Sequence, residues 1–288
     1  MTKILVTGAN GQLGNEIRNL AGSFPDFEFL FTDVAELNIT DEKAIENCAA
    51  TEKIAVIINC AAYTAVDKAE QEQEMAYLIN SAAVANLAKV SARFNILLIH
   101  VSTDYVFNGK GYRPYNEDDP MDPISVYAKS KAEGEQRISE FARKAIIIRT
   151  SWLYSEFGHN FIKTIVKYGK ERGKLNVVFD QVGTPTYARD LAKTILTIIS
   201  FPVTSDGIEI FHYANEGVAS WYDFARAIVE FAGIECKINP IETKDYPLPA
   251  VRPCFSVFNK ARIKQKYQLE IPDWRDSLKE CMYRLDYV

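Results

Sequence analysis

The sequence predicts an α/β protein built on a doubly wound parallel sheet, with a small lobe added toward the C-terminal end. Three observations carry this. Short apolar, β-branched runs alternate with helical periodicities through the first half, a glycine-rich turn joins the first such pair, and prolines break the pattern from Pro240 onward. Alternating strands and helices give a parallel sheet with helices on both faces.

Taken in order, residues 3–7 are a β-branched, apolar run that ends in glycine-rich sequence, which reads as a buried strand. A helix over 12–20 follows, with Leu13, Ile17 and Leu20 on one face. A second strand covers 27–32 and closes on Asp33, and a helix over 41–50 takes Thr40 or Asp41 as its N-cap. The third strand is 55–60, a long alanine-rich helix runs over 73–94, and the fourth strand begins at 96–101. A helix over 124–143 and a strand over 145–150 complete the first half. The second half carries helices over 160–170, 189–199 and 221–232 and a strand over 174–179. Pro240, Pro247, Pro249 and Pro253 turn the remainder into loops around the C-terminal lobe.

The bulk numbers exclude several classes. The 288 residues are 48% hydrophobic and 25% charged, enough for one large α/β unit with an appended lobe. A net charge of -5 without a basic stripe argues against a nucleic-acid partner. Cys48, Cys60, Cys236, Cys254 and Cys281 show no C-x-x-C pair and no zinc spacing, and read as small buried residues in a reducing compartment. No apolar run approaches the roughly 20 residues of a membrane span, and no signal pattern opens the chain. The cytoplasm is therefore expected, with no membrane partner.

Gly8-Ala-Asn-Gly11-Gln-Leu-Gly14 lies between the first strand and the first helix. Glycines there permit the tight turn, let backbone approach a pyrophosphate and bring helix and strand together, while the helix N-terminus offers N–H donors to an anion. This is the context of a Rossmann-type dinucleotide site. Asp33 can accept hydrogen bonds from an adenine ribose and disfavours a 2′-phosphate, and Val34 and Ala35 supply no arginine to offset it. NADH is expected to be accepted, with NADPH left open. Asn38 and Ile39 are candidate adenine contacts. We divide the chain into a dinucleotide-binding domain over 1–150, to which 177–225 adds, and a substrate-binding lobe over 151–176 and 226–288.

Tyr127 and Lys131 are four residues apart, hence on one helix face. An ammonium beside a phenol favours the phenolate and draws the tyrosine toward working pH, where it can trade a proton with a substrate oxygen. Ser102, Thr103 and Asp104 stand at the end of the fourth strand, and Ala61, Ala62 and Tyr63 follow the third, where ligands bind an open parallel sheet. Threonine, tyrosine and lysine around a nicotinamide make a hydride-transfer site. Trp152, just past a strand end, is placed to stack on a sugar or base. His100, His159 and His212 are read as structural.

The glycine spacing with Tyr127-x-x-x-Lys131 resembles the extended short-chain dehydrogenase/reductase superfamily. Within it, the blocks at 59–70, 102–107, 149–154, 158–161 and 180–186 are similar to the dTDP-4-dehydrorhamnose reductase family, across nearly the whole chain. The resemblance implies reduction of the C4 ketone of dTDP-4-dehydro-L-rhamnose by NADPH or NADH. It implies Tyr127 as proton donor, Lys131 as its partner and Thr103 as the supporting hydroxyl, with Thr103, Asp104 and Trp152 on the nucleotide sugar. Asn10, Gly11, Gln12, Leu13, Asp33, Asn38, Ile39, Ala61, Ala62 and Tyr63 would hold the dinucleotide. Two positions depart from the family pattern: Asn38 stands where the family usually has an aspartate, and Arg189 stands where some members have the second of two glutamates, the first matching Glu16, that bind magnesium between subunits. An arginine cannot ligate a cation, so no metal is expected, and the chain is expected as a monomer or a metal-independent homodimer. A 4,6-dehydratase would need a carboxylic acid where Tyr105 stands, and a 4-epimerase does not fit these blocks. Two other readings stay open: a related nucleotide-sugar 4-ketoreductase, and a non-catalytic regulatory subunit resembling that of methionine adenosyltransferase.

Overall fold

The computed structural model describes residues 1–201 and 206–287, so 202–205, within the 177–225 addition, lie outside the described residues. The chain forms β1 (Thr2–Thr7), α1 (Gln12–Leu20), β2 (Phe27–Thr32), α2 (Glu42–Glu52), β3 (Val56–Asn59), α3 (Val66–Ala69), α4 (Gln73–Tyr77), α5 (Ala83–Arg93), β4 (Leu97–Thr103), α6 (Val126–Phe141) and β5 (Lys144–Thr150). It continues through β6 (Leu153–Tyr154), α7 (Phe161–Arg172), β7 (Lys174–Val178), β8 (Val182–Gly183), β9 (Thr186–Tyr187), α8 (Ala188–Ser200) and β10 (Gly207–His212). The last elements are β11 (Ala219–Ser220), α9 (Trp221–Phe231), β12 (Lys237–Ile241), α10 (Ala261–Tyr267) and α11 (Trp274–Arg284).

Six strands make one sheet in the order β10-β5-β4-β3-β1-β2, every pairing parallel. The connection reverses direction at β1, with β2 on one side of it and β3 on the other, which opens a crevice beyond the carboxyl ends of β1 and β3. Successive side chains of each strand point to opposite faces, and two apolar layers result. Ile4, Val6, Ile58, Ile99 and Ile148 pack against α1 and α8, while Leu5, Ile57, Leu98 and Ile147 pack against α2, α5 and α6. A third apolar cluster, from α7, α9, α11 and β7, forms the appended lobe around Phe224, Ile228 and Trp274.

α1 and β2 have the predicted ends, and Asp41 caps α2, its carboxylate accepting from the Lys43 and Ala44 N–H groups. The structure departs from the sequence reading in several places. β10 supplies the sixth strand where none was expected, because a short edge strand with exposed Gly207 and Glu209 lacks a continuous apolar run. β12 forms across Pro240 and pairs in parallel with β7; a two-stranded ribbon has open edges, where the missing proline N–H costs no ladder bond. α10 and α11 replace the loops expected at the C-terminal end.

The helix expected over 73–94 is broken by a π turn at Leu78–Ala82. This turn brings Asn80 between two elements of the crevice: its side chain accepts from the Tyr63 N–H (2.9 Å) and donates to the Tyr63 carbonyl (3.0 Å) and to Ser130 Oγ (3.0 Å). Gly134 of α6 faces the Asn80 carbonyl so closely that a Cβ there would lie 2.2 Å from the oxygen. Gly134→Ala should therefore push α6 off the π turn and lower stability by about 1–3 kcal/mol, the usual cost of overpacking. Urea unfolding of the variant checks this, and an unchanged midpoint would contradict the close approach.

Candidate active site

The glycine loop is shaped by contacts that only glycine tolerates at two positions. Gly8 has a φ of +64°, and a Cβ on it would sit 2.6 Å from the Ala61 nitrogen, so the loops after β1 and β3 touch here. A Cβ on Gly14 would lie 2.5 Å from Ala9 Cα, so this glycine sets how closely α1 returns to the loop. Gly11 is the N-cap residue of α1, with no side-chain cap, so the first-turn N–H groups face the crevice uncapped. The Leu13 side chain is buried in the core, which leaves its backbone as the part that can meet a ligand. Gln12 ties the loop to a distant segment: its amide donates to the Leu153 carbonyl (3.4 Å) and its oxygen accepts from Asn160 (3.0 Å).

At the end of β2, Asp33 accepts from the Asn10 N–H (3.0 Å) and the Val34 N–H (2.8 Å), which holds its carboxylate beside the loop. Asn38 spends its carbonyl oxygen on the N–H and hydroxyl of Thr40, leaving the amide NH2 as its available group. Ile39 is buried in the core layer beneath, so little of its side chain is presented. Tyr63 donates its hydroxyl to Glu72 (2.5 Å), an acceptor that pushes the phenol up to about 12. This cradle of close glycines, an uncapped helix start and a carboxylate fits a dinucleotide.

Thr103 ends β4, and its hydroxyl accepts from the Tyr105 N–H (3.2 Å) and donates to Asp104 Oδ1 (3.1 Å). Ser125 caps α6 and places Tyr127 in its first turn, edge-on to Tyr105 with ring centroids 5.7 Å apart. The structure thus brings Thr103, Tyr127 and Lys131 together at the carboxyl edge of the sheet. The expected lowering of the phenol by Lys131 is absent, because burial dominates and pushes Tyr127 up to about 12. The Thr103 hydroxyl opposes this rise, and the Asp104 carboxylate adds to it. Lys131 is itself buried, which brings it down to about 8 against the opposing pull of Glu135 and Cys60. Its ammonium donates to the Val101 carbonyl (2.7 Å) and lies 3.3 Å from His100 Nε2. His100, read as structural, is therefore in the lysine's shell, a contact between strand and helix that no local sequence signal marks.

Asp104 is 2% exposed and pushed up to about 7 by burial, against the pull of neighbouring hydroxyls. Among the described residues its buried Oδ2 has no hydrogen-bond partner, although Ser256 lies beside the carboxyl. Trp152, with a φ of +45°, stacks face to face on Trp221 at 3.8 Å, so one side of its ring is covered within the chain. Sequence reading missed Trp221, which begins α9 far along the chain. It also missed Arg252, whose guanidinium grips the Asp67 carboxylate at 2.8 and 3.1 Å and so ties a late segment of the chain to α3, just past β3.

Arg189 points at Glu16, with Nη1 3.5 Å from its carboxylate, and burial together with Glu156 pushes Glu16 upward. His212 is buried against Phe258 and the Tyr115 carbonyl, and His159 meets Thr164 on the surface. All five cysteines are free; Cys281 alone of them is buried as expected, Cys48, Cys60 and Cys236 are half-buried, and Cys254 is exposed. Among the described residues no helix is long and apolar enough to cross a membrane.

The chain was compared with known families, curated proteins and solved structures. The profile of the RmlD substrate binding domain family matches residues 1–287. The chain is 40% identical over 287 residues to the dTDP-4-dehydrorhamnose reductase of Aggregatibacter actinomycetemcomitans (97% of this chain, 98% of the relative). It is also 40% identical over 283 residues to the spore coat polysaccharide biosynthesis protein SpsK of Bacillus subtilis (98% and 97%). Its fold is similar to the crystal structure of dTDP-4-dehydrorhamnose reductase from Bacillus anthracis in complex with NADP, with a TM-score of 0.94 and 35% identity, covering 99% of this chain and 100% of that one.

Gly14→Ala tests the cradle. The displaced loop should lose NADPH binding in a fluorescence titration while the far-ultraviolet circular dichroism stays that of a folded α/β protein. Unchanged affinity would separate the loop from the dinucleotide.

Proposed function

The chain belongs to the RmlD substrate binding domain family, and on that footing we propose that it reduces the C4 ketone of dTDP-4-dehydro-L-rhamnose to dTDP-L-rhamnose with NADPH or NADH. One observation carries the assignment: a half-buried tyrosine, kept protonated at working pH, stands beside the Thr103 hydroxyl at the carboxyl edge of the sheet. A ketone reduction needs a proton at the carbonyl oxygen as hydride arrives at carbon. A phenol that holds its proton to about 12 is loaded for that task.

The roles follow from placement. Gly8, Gly11 and Gly14, with the backbone of Asn10, Gln12 and Leu13, hold the pyrophosphate at the start of α1. Asp33 takes the adenine ribose, the Asn38 amide and Ile39 border the adenine, and Ala61, Ala62 and Tyr63 line the path to the nicotinamide. When bound, the dinucleotide supplies the hydride. Tyr127 gives its proton to the carbonyl oxygen, Thr103 orients that oxygen, and Lys131 supports the tyrosine and the dinucleotide from beneath. The Asp104 carboxyl, whose buried Oδ2 has no partner among the described residues, takes a sugar hydroxyl, and Trp152, braced by Trp221, packs on the nucleotide sugar. We take 151–176 and 226–288 as the sugar-binding lobe, with its border moved to include all of α9, whose Phe224 sits in the lobe core, and without α10, which packs on the main sheet; Gln12 and the Arg252–Asp67 pair tie it to the dinucleotide domain.

Dehydration is disfavoured because Tyr105, a half-buried phenol raised far from ionisation, occupies the place of a carboxylic acid. The complete set of Thr103, Tyr127 and Lys131 likewise disfavours a regulatory subunit without turnover. Arg189 on Glu16 supports a monomer or a homodimer that needs no metal. We place the protein in the cytoplasm, where nucleotide sugars and reduced dinucleotides are at hand.

The test is loss of nicotinamide absorbance on adding enzymatically made dTDP-4-dehydro-L-rhamnose; none, with folded protein, would favour the regulatory reading. Tyr127→Phe should bind NADPH normally and lose about 10²- to 10⁴-fold in kcat, the usual worth of a positioned acid; retained turnover would remove Tyr127 from its role. Asp33→Ser removes the charge facing a 2′-phosphate. It should raise the NADPH-to-NADH ratio of kcat/KM by roughly fivefold or more, corresponding to about 1 kcal/mol for one screened charge. An unmoved ratio would take Asp33 away from the ribose.

A further inference from the structure

A polar chain crosses the sheet beneath the crevice at matched register. Thr7 of β1 pairs with Asn59 of β3, and Asn59 with His100 of β4, so the three side chains share one face of the sheet. Asn59 Oδ1 accepts from the Thr7 hydroxyl at 2.7 Å and from the Ala61 N–H at 3.2 Å. A backbone N–H can only donate, so the amide orientation is fixed and the Asn59 NH2 faces His100 Nδ1 at 3.0 Å. Nδ1 is then an acceptor. His100 is fully buried, and burial followed by the Lys131 charge holds it neutral. Its single proton must therefore sit on Nε2, 3.3 Å from the lysine nitrogen.

An ammonium has three N–H donors and no lone pair, so an imidazole N–H aimed at it sets hydrogen against hydrogen. A neutral amine has a lone pair to accept that N–H while still donating to the Val101 carbonyl at 2.7 Å. The other groups around Lys131 do little to restore the cation. Glu135, one turn along α6, is engaged by Arg149 and Ser102. Cys60, after β3, is a thiol pushed up to about 12 by burial, and Tyr127, one turn back, is neutral.

We propose that the Thr7–Asn59–His100 chain is a positioning device for Lys131, fixing His100 as its Nε2–H tautomer so that the neutral amine of Lys131 comes within reach near neutral pH. The lysine beside Tyr127 is then an exchangeable proton carrier rather than a permanent cation. The tuning of catalysis rests on the assignment of Lys131 to the reducing site; the tautomer does not.

Two measurements test it. The chain has three histidines, so long-range proton–nitrogen NMR of the imidazoles, assigned by single substitutions, reads each tautomer without substrate. His100 should be neutral with its proton on Nε2 from pH 6 to pH 9; an Nδ1-protonated ring or an imidazolium would overturn the proposal whatever the reaction. Asn59→Asp offers only acceptors, so His100 should move its proton to Nδ1 and present a lone pair to the lysine. The basic limb of the kcat/KM profile, expected near pH 8 in the parent protein, should then rise by about 1–3 pH units, the effect of a nearby opposite charge. A switched tautomer with an unmoved limb would leave His100 a purely structural residue and overturn the tuning role. Loss of turnover at every pH in the parent protein would instead fail the reductase assignment and leave the tautomer result standing.

Discussion

The seat of α6 against β4 and β5 governs this site, because α6 carries Tyr127 and Lys131 while β4 carries His100, Thr103 and Asp104. A buried ion pair holds that seat. The Arg149 guanidinium donates to both oxygens of Glu135, at 3.0 Å from Nε and 2.7 Å from Nη2, and each side chain is 2% exposed. Ser102 donates to the same carboxylate at 2.5 Å, and Arg149 reaches the Glu117 carbonyl at 3.2 Å, so strand, helix and crossover loop meet at one charged knot. Such a pair adds little over an apolar replacement, yet removing one partner strands a buried charge at a cost of ~3–5 kcal/mol. Its consequence here is geometric: the phenol, the threonine and the lysine keep one arrangement.

The same face of the sheet shows how polar groups enter an apolar layer. Leu5, Ile57 and Leu98 fill it near the amino ends of the strands, and Thr7, Asn59 and His100 replace them two residues on, in register. Each is hydrogen-bonded to its neighbour, as buried polar groups require. The ladder runs from the last residue before the glycine loop to the lysine of α6. A mechanical account of the cradle and an electrostatic account of Lys131 therefore share residues.

Much of this was legible in the sequence, for reasons that can be named. The glycine loop, Asp33, Thr103 and the Tyr127–Lys131 spacing are local patterns, each placed at a strand end or in a helix turn whose apolar periodicity is strong. β10, β12 and Trp221 were not legible: the first two are exposed edge or ribbon strands, one containing a proline, and Trp221 acts through a stack on Trp152 that joins distant segments. The π turn at Leu78–Ala82 lies inside an unbroken alanine-rich pattern, and the contacts that accompany it, the close passage of Gly134 and the Asn80 bonds to Tyr63 and Ser130, are tertiary. The state of Tyr127 was misjudged for a similar reason. Spacing puts the lysine on the tyrosine's face, but depth of burial and the lysine's own partners decide the electrostatics, and both are tertiary.

The account stands or falls on where a hydride goes. NADPH deuterated at the transferable position of its nicotinamide, supplied with dTDP-4-dehydro-L-rhamnose, should yield dTDP-L-rhamnose with deuterium at sugar C4 and nowhere else, read by NMR of the product. Deuterium at another carbon, or full retention in the dinucleotide with folded protein, would contradict it.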